Sequence, residues 1–170
     1  HQGGFELYLD GSQYGEALWD ALFAAGEDLD VRAGCPNLIE RIEAGLLSFG
    51  SDITPVHTPF EAGLGKYCDL DTVNGFLGYA ALSKLSTPSR QIRALEMDGP
   101  AVPAIYDPWP LQDSEGNVVG QISSSTWSPD YNTNVTIAMV DRLHWDAGTV
   151  LTAKVPDADR NATVRAGFWG

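Results

Sequence analysis

The 170-residue sequence is poor in cysteine, in basic residues and in long apolar runs. Cys35 and Cys68 are its two cysteines, and neither has a Cys or His at a metal-ligand spacing, which argues against a zinc site and a disulfide framework. Lys and Arg number 10 against 23 Asp and Glu, giving a net charge of −13, so the chain lacks the basic face that nucleic acid or an anionic membrane requires. No apolar run approaches the ~18 residues of a membrane-spanning helix, and we expect a cytoplasmic protein.

Sequence motifs of common catalytic sites are missing as well. There is no Gly-x-Ser-x-Gly turn for a serine nucleophile and no glycine-rich phosphate loop. His57 and His144 have no carboxylate, Cys or Ser partner at a spacing typical of catalysis. The catalytic residues are therefore left unassigned, and no metal site is predicted.

The hydrophobic pattern changes near Ser86, and this change predicts the fold class. Before it, alternation over residues 4–10 predicts a strand, and apolar stripes predict helices at about 14–29, from the turn at 34–37 onward, and at 79–85. After it, short β-branched runs alternate with turn residues, as in a small antiparallel barrel or sandwich. We therefore expect an α+β fold: an α+β domain over residues 1–86, followed by an antiparallel β-barrel domain over residues 87–170.

The strands of the second domain are predicted from these runs. They are IRALEM (92–97), VPAIY (102–106), VVGQISSSTW (118–127), VTIAMV (135–140), TVLTAKV (149–155) and ATVRAGFW (162–169), with a hairpin turn near Gly116.

Glu6 and Tyr8 are the first candidate ligand-binding residues. Alternate residues of a strand point to one face, so the carboxylate and the phenol would lie about 7 Å apart and could bind one polar ligand together. The alternative is a solvent-facing strand edge, where both residue types are ordinary. Spacing alone favours that alternative.

Arg41 and Glu61 are two further candidates. Arg41 lies at the edge of a helical apolar stripe, where a guanidinium could bind a carboxylate bidentately, but an ion pair with a nearby Glu is the more frequent arrangement. Glu61 stands among small and apolar residues in the loop 58–65, and a carboxylate there must be paired or hydrogen-bonded. It could tie loop amides together or contact a ligand, and the sequence favours neither.

Seven short motifs occur in one order along the chain. They are Gly4-Phe5-Glu6; Ala17-Leu18-Trp19-Asp20-Ala21-Leu22; Gly34 followed by Arg41-Ile42-Glu43-Ala44-Gly45; Gly50-Ser51-Asp52-Ile53-Thr54; Thr58 to Leu64; Phe76-Leu77-Gly78-Tyr79-Ala80-Ala81-Leu82; and Gly120-Gln121-Ile122-Ser123-Ser124 with Ser128-Pro129. In this order they resemble the aminomethyltransferase (glycine cleavage T-protein) family of tetrahydrofolate-dependent enzymes. The wording of residues 34–48 looks most like the dimethylsulfoniopropionate demethylase branch.

The resemblance implies a three-domain enzyme with a pterin pocket in a central channel, of which this chain is the C-terminal half. By motif match, Glu6 would hydrogen-bond the pterin ring, Tyr8 would line the same pocket, and Arg41 would help to hold the folate. The partners implied are folate, a small methyl donor and the N-terminal half of the same enzyme, without which this fragment is expected to be inactive.

Three other functions stay open at this point. A glycine-cleavage aminomethyltransferase would act with a lipoyl carrier protein. A non-catalytic folate-binding module would bind tetrahydrofolate without transferring a carbon unit. A structural barrel domain would bind no folate.

Overall fold

The computed structural model describes residues 4–34, 37–72 and 75–170. The chain divides into two compact units, His1–Asn37 and Leu38–Gly170. None of the described helices has the length and hydropathy that a bilayer crossing requires.

The first unit is built around helix α1 (Gly15–Ala25), which follows a 3-10 turn at Ser12–Tyr14 and precedes another at Glu27–Leu29. The predicted helix over 14–29 is therefore confirmed in type, with a tighter first and last turn. Its Ala- and Leu-rich sequence favours a helix, and Gly26 ends it while its amide still bonds Leu22 O at 3.0 Å.

The predicted strand over residues 4–10 is wrong in this structure. These residues form no regular element, and within the described chain no segment pairs with them. Their alternation is strand-like, but a strand exists only through hydrogen bonds to a neighbour. Phe5 and Leu7 consequently stand exposed.

The second unit contains a closed barrel of six antiparallel strands, which confirms the predicted barrel. The strands are β1 (Arg90–Met97), β2 (Trp109–Gln112), β3 (Val118–Ser128), β4 (Thr133–Asp141), β5 (Val150–Lys154) and β6 (Asp159–Val164). Around the barrel they follow the order β1-β4-β3-β2-β5-β6, and β6 closes on β1 through the pair Leu95 and Val164. Closure leaves no exposed sheet edge.

One predicted strand, VPAIY at 102–106, is not a strand, and β2 lies further along the chain. Pro103 cannot donate to a ladder, and Asn134 supplies the hydrogen bonds that a partner strand would otherwise make. Asn134 is fully buried; its Oδ1 accepts from Val102 N at 3.1 Å, and its Nδ2 donates to Pro100 O at 3.0 Å.

Strand β4 is buried on both faces, and this explains its nearly continuous apolar sequence. Ala138 and Val140 belong to the barrel interior, whereas Val135, Ile137 and Met139 form a second cluster on the outer face. Helix α2 (Leu38–Glu43) covers that outer face through Ile42, which has no exposed surface. Cys35 and Pro36, at the predicted start of this helix, lie outside the described residues.

Helix α3 (Tyr79–Leu85) has the predicted bounds. It follows the loop segments that connect α2 to the barrel, and it buries none of its seven residues, all of which are described. The side-chain contacts described for the candidate site of this unit involve α2 and the loops at 45–65 instead.

Candidate functional site

Glu6 and Tyr8 lie together in the irregular segment that precedes α1. The Tyr8 hydroxyl donates a hydrogen bond to Glu6 Oε2, and both side chains are exposed. This hydrogen bond to the carboxylate raises the pKa of Tyr8 above its ordinary value. The pair thus presents one carboxylate and one bound hydroxyl on the same side of the segment, although no strand holds them there.

Arg41 projects from α2 one residue before the buried Ile42. Its Nη1 donates to Asp52 Oδ2 at 2.8 Å and to Leu46 O at 3.2 Å, and its Nη2 donates to Ser124 Oγ at 2.7 Å. The side chain is 23% exposed, while that of Asp52 has no exposed surface. The guanidinium is therefore held inside the protein by a buried carboxylate.

Asp52 joins three separate segments of the second unit. Besides Arg41, its carboxylate accepts hydrogen bonds from Ser48 N at 2.8 Å, Ser123 Oγ at 2.6 Å and Ser124 Oγ at 2.7 Å. Both lone-pair regions of each oxygen are used, as a buried carboxylate requires. Helix α2, the 48–53 turn and β3 are fixed relative to one another as a result; we call this set of contacts the Asp52 clamp.

A bulge in β3 allows two consecutive serines to reach the same carboxylate. Ile122 pairs with Ala138 and Ser124 with Ile137, so Ser123 is the extra residue of the bulge. In a regular strand Ser123 and Ser124 would point to opposite faces, whereas a bulge locally breaks this alternation. Asp52, Ser123 and Ser124 all belong to the sequence motifs given above, but their spacing along the chain did not predict that they would meet.

Glu61 closes its own loop and ties it to β1. Its Oε2 accepts from Thr58 N at 2.7 Å, and Arg90 Nε donates to its Oε1 at 2.7 Å. Burial acts to raise the pKa of Glu61, but the hydrogen bonds from Arg90 and Thr58 outweigh burial and lower the pKa below its usual value. Of the two roles left open by the sequence, the contacts support the tie between loop amides.

The C-terminal tail adds a contact that the sequence did not indicate. Trp169 N and Gly170 N both donate to Glu43 O, at 2.8 and 3.1 Å. The Glu43 carboxylate accepts from Ser128 Oγ at 2.6 Å. These bonds fasten the end of α2 between β3 and the chain end, so Glu43 is a structural residue here.

Metal-binding side chains do not cluster among the described residues. Within the ranges given above, no three His, Cys, Asp or Glu side chains come close enough to share a metal ion. His57 lies in its own loop, where its Nδ1 is 3.0 Å from Thr54 N. Cys68 is a free thiol.

Two family models match the chain, and between them they cover most of it. The GCVT N-terminal domain matches residues 2–72, and the glycine cleavage T-protein C-terminal barrel domain matches residues 90–167. The chain belongs to the glycine cleavage T-protein family. The closed barrel of this T-protein family chain is the second of these domains.

Curated relatives carry two different names. The T-protein family chain is 52% identical to dimethylsulfoniopropionate demethylase DmdA of Ruegeria pomeroyi, over 99% of this chain and 46% of the relative. It is 33% identical to an aminomethyltransferase of Symbiobacterium thermophilum, over 87% of this chain and 40% of the relative. The chain thus spans less than half the length of either relative.

A solved structure supports the fold. The glycine cleavage system aminomethyltransferase T from Bartonella henselae superposes with a TM-score of 0.64 at 26% identity, over 74% of this chain and 36% of that one. The predicted family and barrel are therefore confirmed. The predicted domain boundary at 86/87 and the binding roles of Glu6, Tyr8 and Arg41 stay predictions.

Proposed function

We propose that this chain is the C-terminal half of a tetrahydrofolate-dependent enzyme that demethylates dimethylsulfoniopropionate. The observation that carries the proposal is the 52% identity to the demethylase over 99% of the chain, against 33% to the aminomethyltransferase named above. The domain boundary at 86/87 and a cytoplasmic location belong to the same proposal.

Glu6 and Tyr8 fit the polar edge of a pterin. A pterin presents an amino group and a ring N–H side by side, and a carboxylate accepts such a pair of hydrogen bonds. Glu6 Oε1 makes no hydrogen bond within the described chain, so it remains available to accept one. Tyr8 would keep Glu6 oriented by donating to Oε2.

Arg41 fits a folate contact less well than Glu6 does. Three of its five N–H groups already bond Asp52, Leu46 and Ser124. Its Nε–H and one Nη2 hydrogen remain for a ligand. We propose that Arg41 contributes chiefly by positioning α2 through the Asp52 clamp.

The chemistry needs little acid–base catalysis from this chain. When bound, tetrahydrofolate supplies N5, the nucleophilic nitrogen that accepts the methyl group. The sulfonium sulfur leaves as a neutral thioether and keeps the electron pair of the broken S–C bond, and the proton of N5–H is released. Glu6 would fix the pterin orientation, so that alignment and exclusion of water account for most of the acceleration.

The test is a methyl-transfer assay on the full-length protein that carries this sequence. We expect methyl transfer from dimethylsulfoniopropionate to tetrahydrofolate and no glycine cleavage. Glu6→Ala should weaken tetrahydrofolate binding in calorimetric titration about tenfold, because one charge-assisted hydrogen-bonded pair is lost. Glu16→Ala, which removes an exposed carboxylate from α1, serves as the matched control and should bind normally.

Each other outcome selects a different function. Glycine cleavage without demethylation would support the aminomethyltransferase alternative, favoured by the match to the Bartonella henselae structure, and with it a lipoyl carrier partner. Tetrahydrofolate binding without either activity would support a non-catalytic folate-binding module. If the protein does not bind tetrahydrofolate, the result would support a structural barrel domain. If the parent protein and Glu6→Ala bind tetrahydrofolate equally, Glu6 does not contact the pterin.

A further inference from the structure

A cleft on the outside of the barrel is lined by two arginines of a strongly acidic protein. It has a volume of about 480 Å³ and lies where β1, the 145–147 turn and the segment after β6 adjoin. Arg93 and Arg165 both line it, although the whole chain carries only 10 basic residues and a net charge of −13. We call it the Arg93 cleft.

Arg93 is a half-buried guanidinium without an ion pair among the described residues. Its Nε donates to Trp145 O at 3.1 Å and its Nη1 to Ile92 O at 2.9 Å and to the Gln91 side chain, all neutral acceptors. Its carbon Cζ lies 4.6 Å from the centre of the Trp145 ring. Nη2 makes no hydrogen bond in the described chain. The side chain is thus held rigid with one donor group unused.

The charge of Arg93 lacks full compensation in its surroundings. Burial lowers the pKa of Arg93 below its ordinary value, and the negative charge of nearby Asp146 offsets this only in part. Asp146 lines the same cleft but is exposed and does not reach ion-pairing distance. An anion placed beside Nη2 would relieve the cost of the buried charge.

Arg165 stands on the neighbouring segment and leaves a second donor available. Its backbone N bonds Ala94 O at 2.9 Å, which places it beside β1. Its Nη1 bonds the Glu96 carboxylate at 3.2 Å and its Nε bonds Gly167 O at 3.3 Å, while Nη2 has no partner in the described chain. Four of the other residues that line the cleft are small, namely Ala94, Ala147, Ala166 and Gly167.

We propose that the Arg93 cleft binds a small free monocarboxylate, with Arg93 and Arg165 donating to its two oxygens. The planar fork of a guanidinium suits a carboxylate. Asp146 disfavours a dianion and therefore selects for a single negative charge. The site is independent of the function proposed above, since it uses none of the residues assigned to folate.

The test is an NMR titration of the 170-residue chain with acetate at constant ionic strength, with acetamide as the neutral comparison. Acetate should produce saturable shifts at the Ala94 and Gly167 amides, with a dissociation constant of about 1–10 mM, as befits a ligand of so few atoms. Acetamide should produce none. Arg93→Gln should weaken acetate binding about tenfold or more.

Three further variants separate the cleft from general charge effects. Arg165→Gln should weaken binding several-fold, and Asp146→Asn should tighten it several-fold because a repelling charge is removed. Arg142→Gln is the matched control: Arg142 also stacks on Trp145, at 5.4 Å, but does not line the cleft, and its loss should leave the dissociation constant unchanged. If Arg93→Gln unfolds the chain, the proposal is tested by the other two variants: Arg165→Gln should weaken acetate binding and Asp146→Asn should tighten it.

The proposal fails if the shifts are linear in acetate or equal for acetamide. It also fails if Arg142→Gln weakens binding as much as Arg165→Gln does, because equal effects of an arginine outside the cleft and one inside it would indicate a response to net charge. The full-length protein gives a further test. If acetate binding saturates in the 170-residue chain but is absent in the full-length protein, a carboxylate of the protein occupies the cleft in place of a free ligand, and the proposal is wrong.

Discussion

At the scale of single residues, Asp52 has the greatest structural consequence. One carboxylate accepts four hydrogen bonds from three segments that lie up to 83 residues apart in sequence. Removing a buried carboxylate is costly because the donors that it accepted from are left without it. Without Asp52, the Arg41 guanidinium would lose its charged acceptor, and the hydroxyls of Ser123 and Ser124 would lose the carboxylate to which they donate.

Asp52→Asn should destabilise the protein by about 2–3 kcal/mol. The amide loses the negative charge facing Arg41 and replaces one acceptor oxygen with a donor, while the residual exposure of Arg41 limits the cost. Urea unfolding followed by circular dichroism measures the effect. Asp30→Asn is the control, since the pair of Asp30 with Arg32 has both side chains 78% exposed and should contribute less than about 0.5 kcal/mol. Equal effects of the two substitutions would contradict a buried clamp.

Gly45 is required by two separate features of the backbone. It has a φ of +69°, and a Cβ there would lie 2.5 Å from the Phe168 ring. Gly45→Ala should therefore cost about 1 kcal/mol for the conformation and about 1–3 kcal/mol more for the displaced ring.

Gly63 offers a matched comparison, because its φ is +72° and a Cβ there would meet no atom within 4 Å. Gly63→Ala should show the conformational cost alone. The difference between the two midpoints in urea measures the Phe168 contact. A difference near zero would mean that the tail moves away from α2 at no cost.

At the scale of elements, sequence periodicity predicted most of the barrel but not its attachments. Helix α3 has the predicted bounds, and strands β1, β3 and β4 begin and end within about two residues of the β-branched runs that predicted them. The strand at 4–10 was wrong because a strand pattern does not guarantee a partner strand. The one at 102–106 was wrong because Asn134, some 30 residues later, takes its place in the hydrogen bonding.

The loop 58–65 depends on the ionised form of Glu61. Since the pKa of Glu61 is lowered on folding, the unfolded state binds its proton at a higher pH than the folded state does. Its stabilising contribution is therefore complete well above pH 4.5, the ordinary value, and is lost as the pH falls through the lower folded pKa.

Urea midpoints measured from pH 7 to pH 3 test this dependence on Glu61. The wild-type protein should lose more stability over the acidic part of this range than Glu61→Gln does. Glu16→Gln, on the exposed face of α1, is the control and should follow the wild-type curve. Parallel curves for wild type and Glu61→Gln would show that the carboxylate contributes no pH-dependent stability.

At the scale of the whole molecule, the candidate site was only partly predictable. The residue types at positions 6, 8, 41 and 61 indicated ligand or ion-pair chemistry, but the direct hydrogen bond of Tyr8 to Glu6 was not predicted, since spacing on a strand placed the two groups about 7 Å apart. The partner of Arg41 did not follow, because the Asp52 clamp depends on a bulge in β3 that no local pattern signals. The Arg93 cleft was not predicted either, because its two arginines are 72 residues apart in sequence and line one cleft only in the folded barrel.

The two units differ sharply in how much apolar surface they bury. All 11 residues of α1 are described and none is buried, with Trp19 53% and Leu22 44% exposed, whereas β4 is buried on both faces. An isolated helix of this length is marginal in water. The stability of the chain therefore resides in the barrel and its attached loops.

Hydrogen exchange tests this division directly. Amides of α1 should exchange with opening free energies near zero, while amides of β4 should exchange only with global unfolding. Trp19→Ala should then leave the global unfolding midpoint unchanged, because the side chain covers no core. Ile137→Ala, at a fully buried position of β4, should lower the global free energy of unfolding by about 2–5 kcal/mol. Protection of α1 equal to that of β4 would mean that α1 is stabilised by packing its exposed apolar side chains, and its 11 residues would then have to unfold together with the barrel.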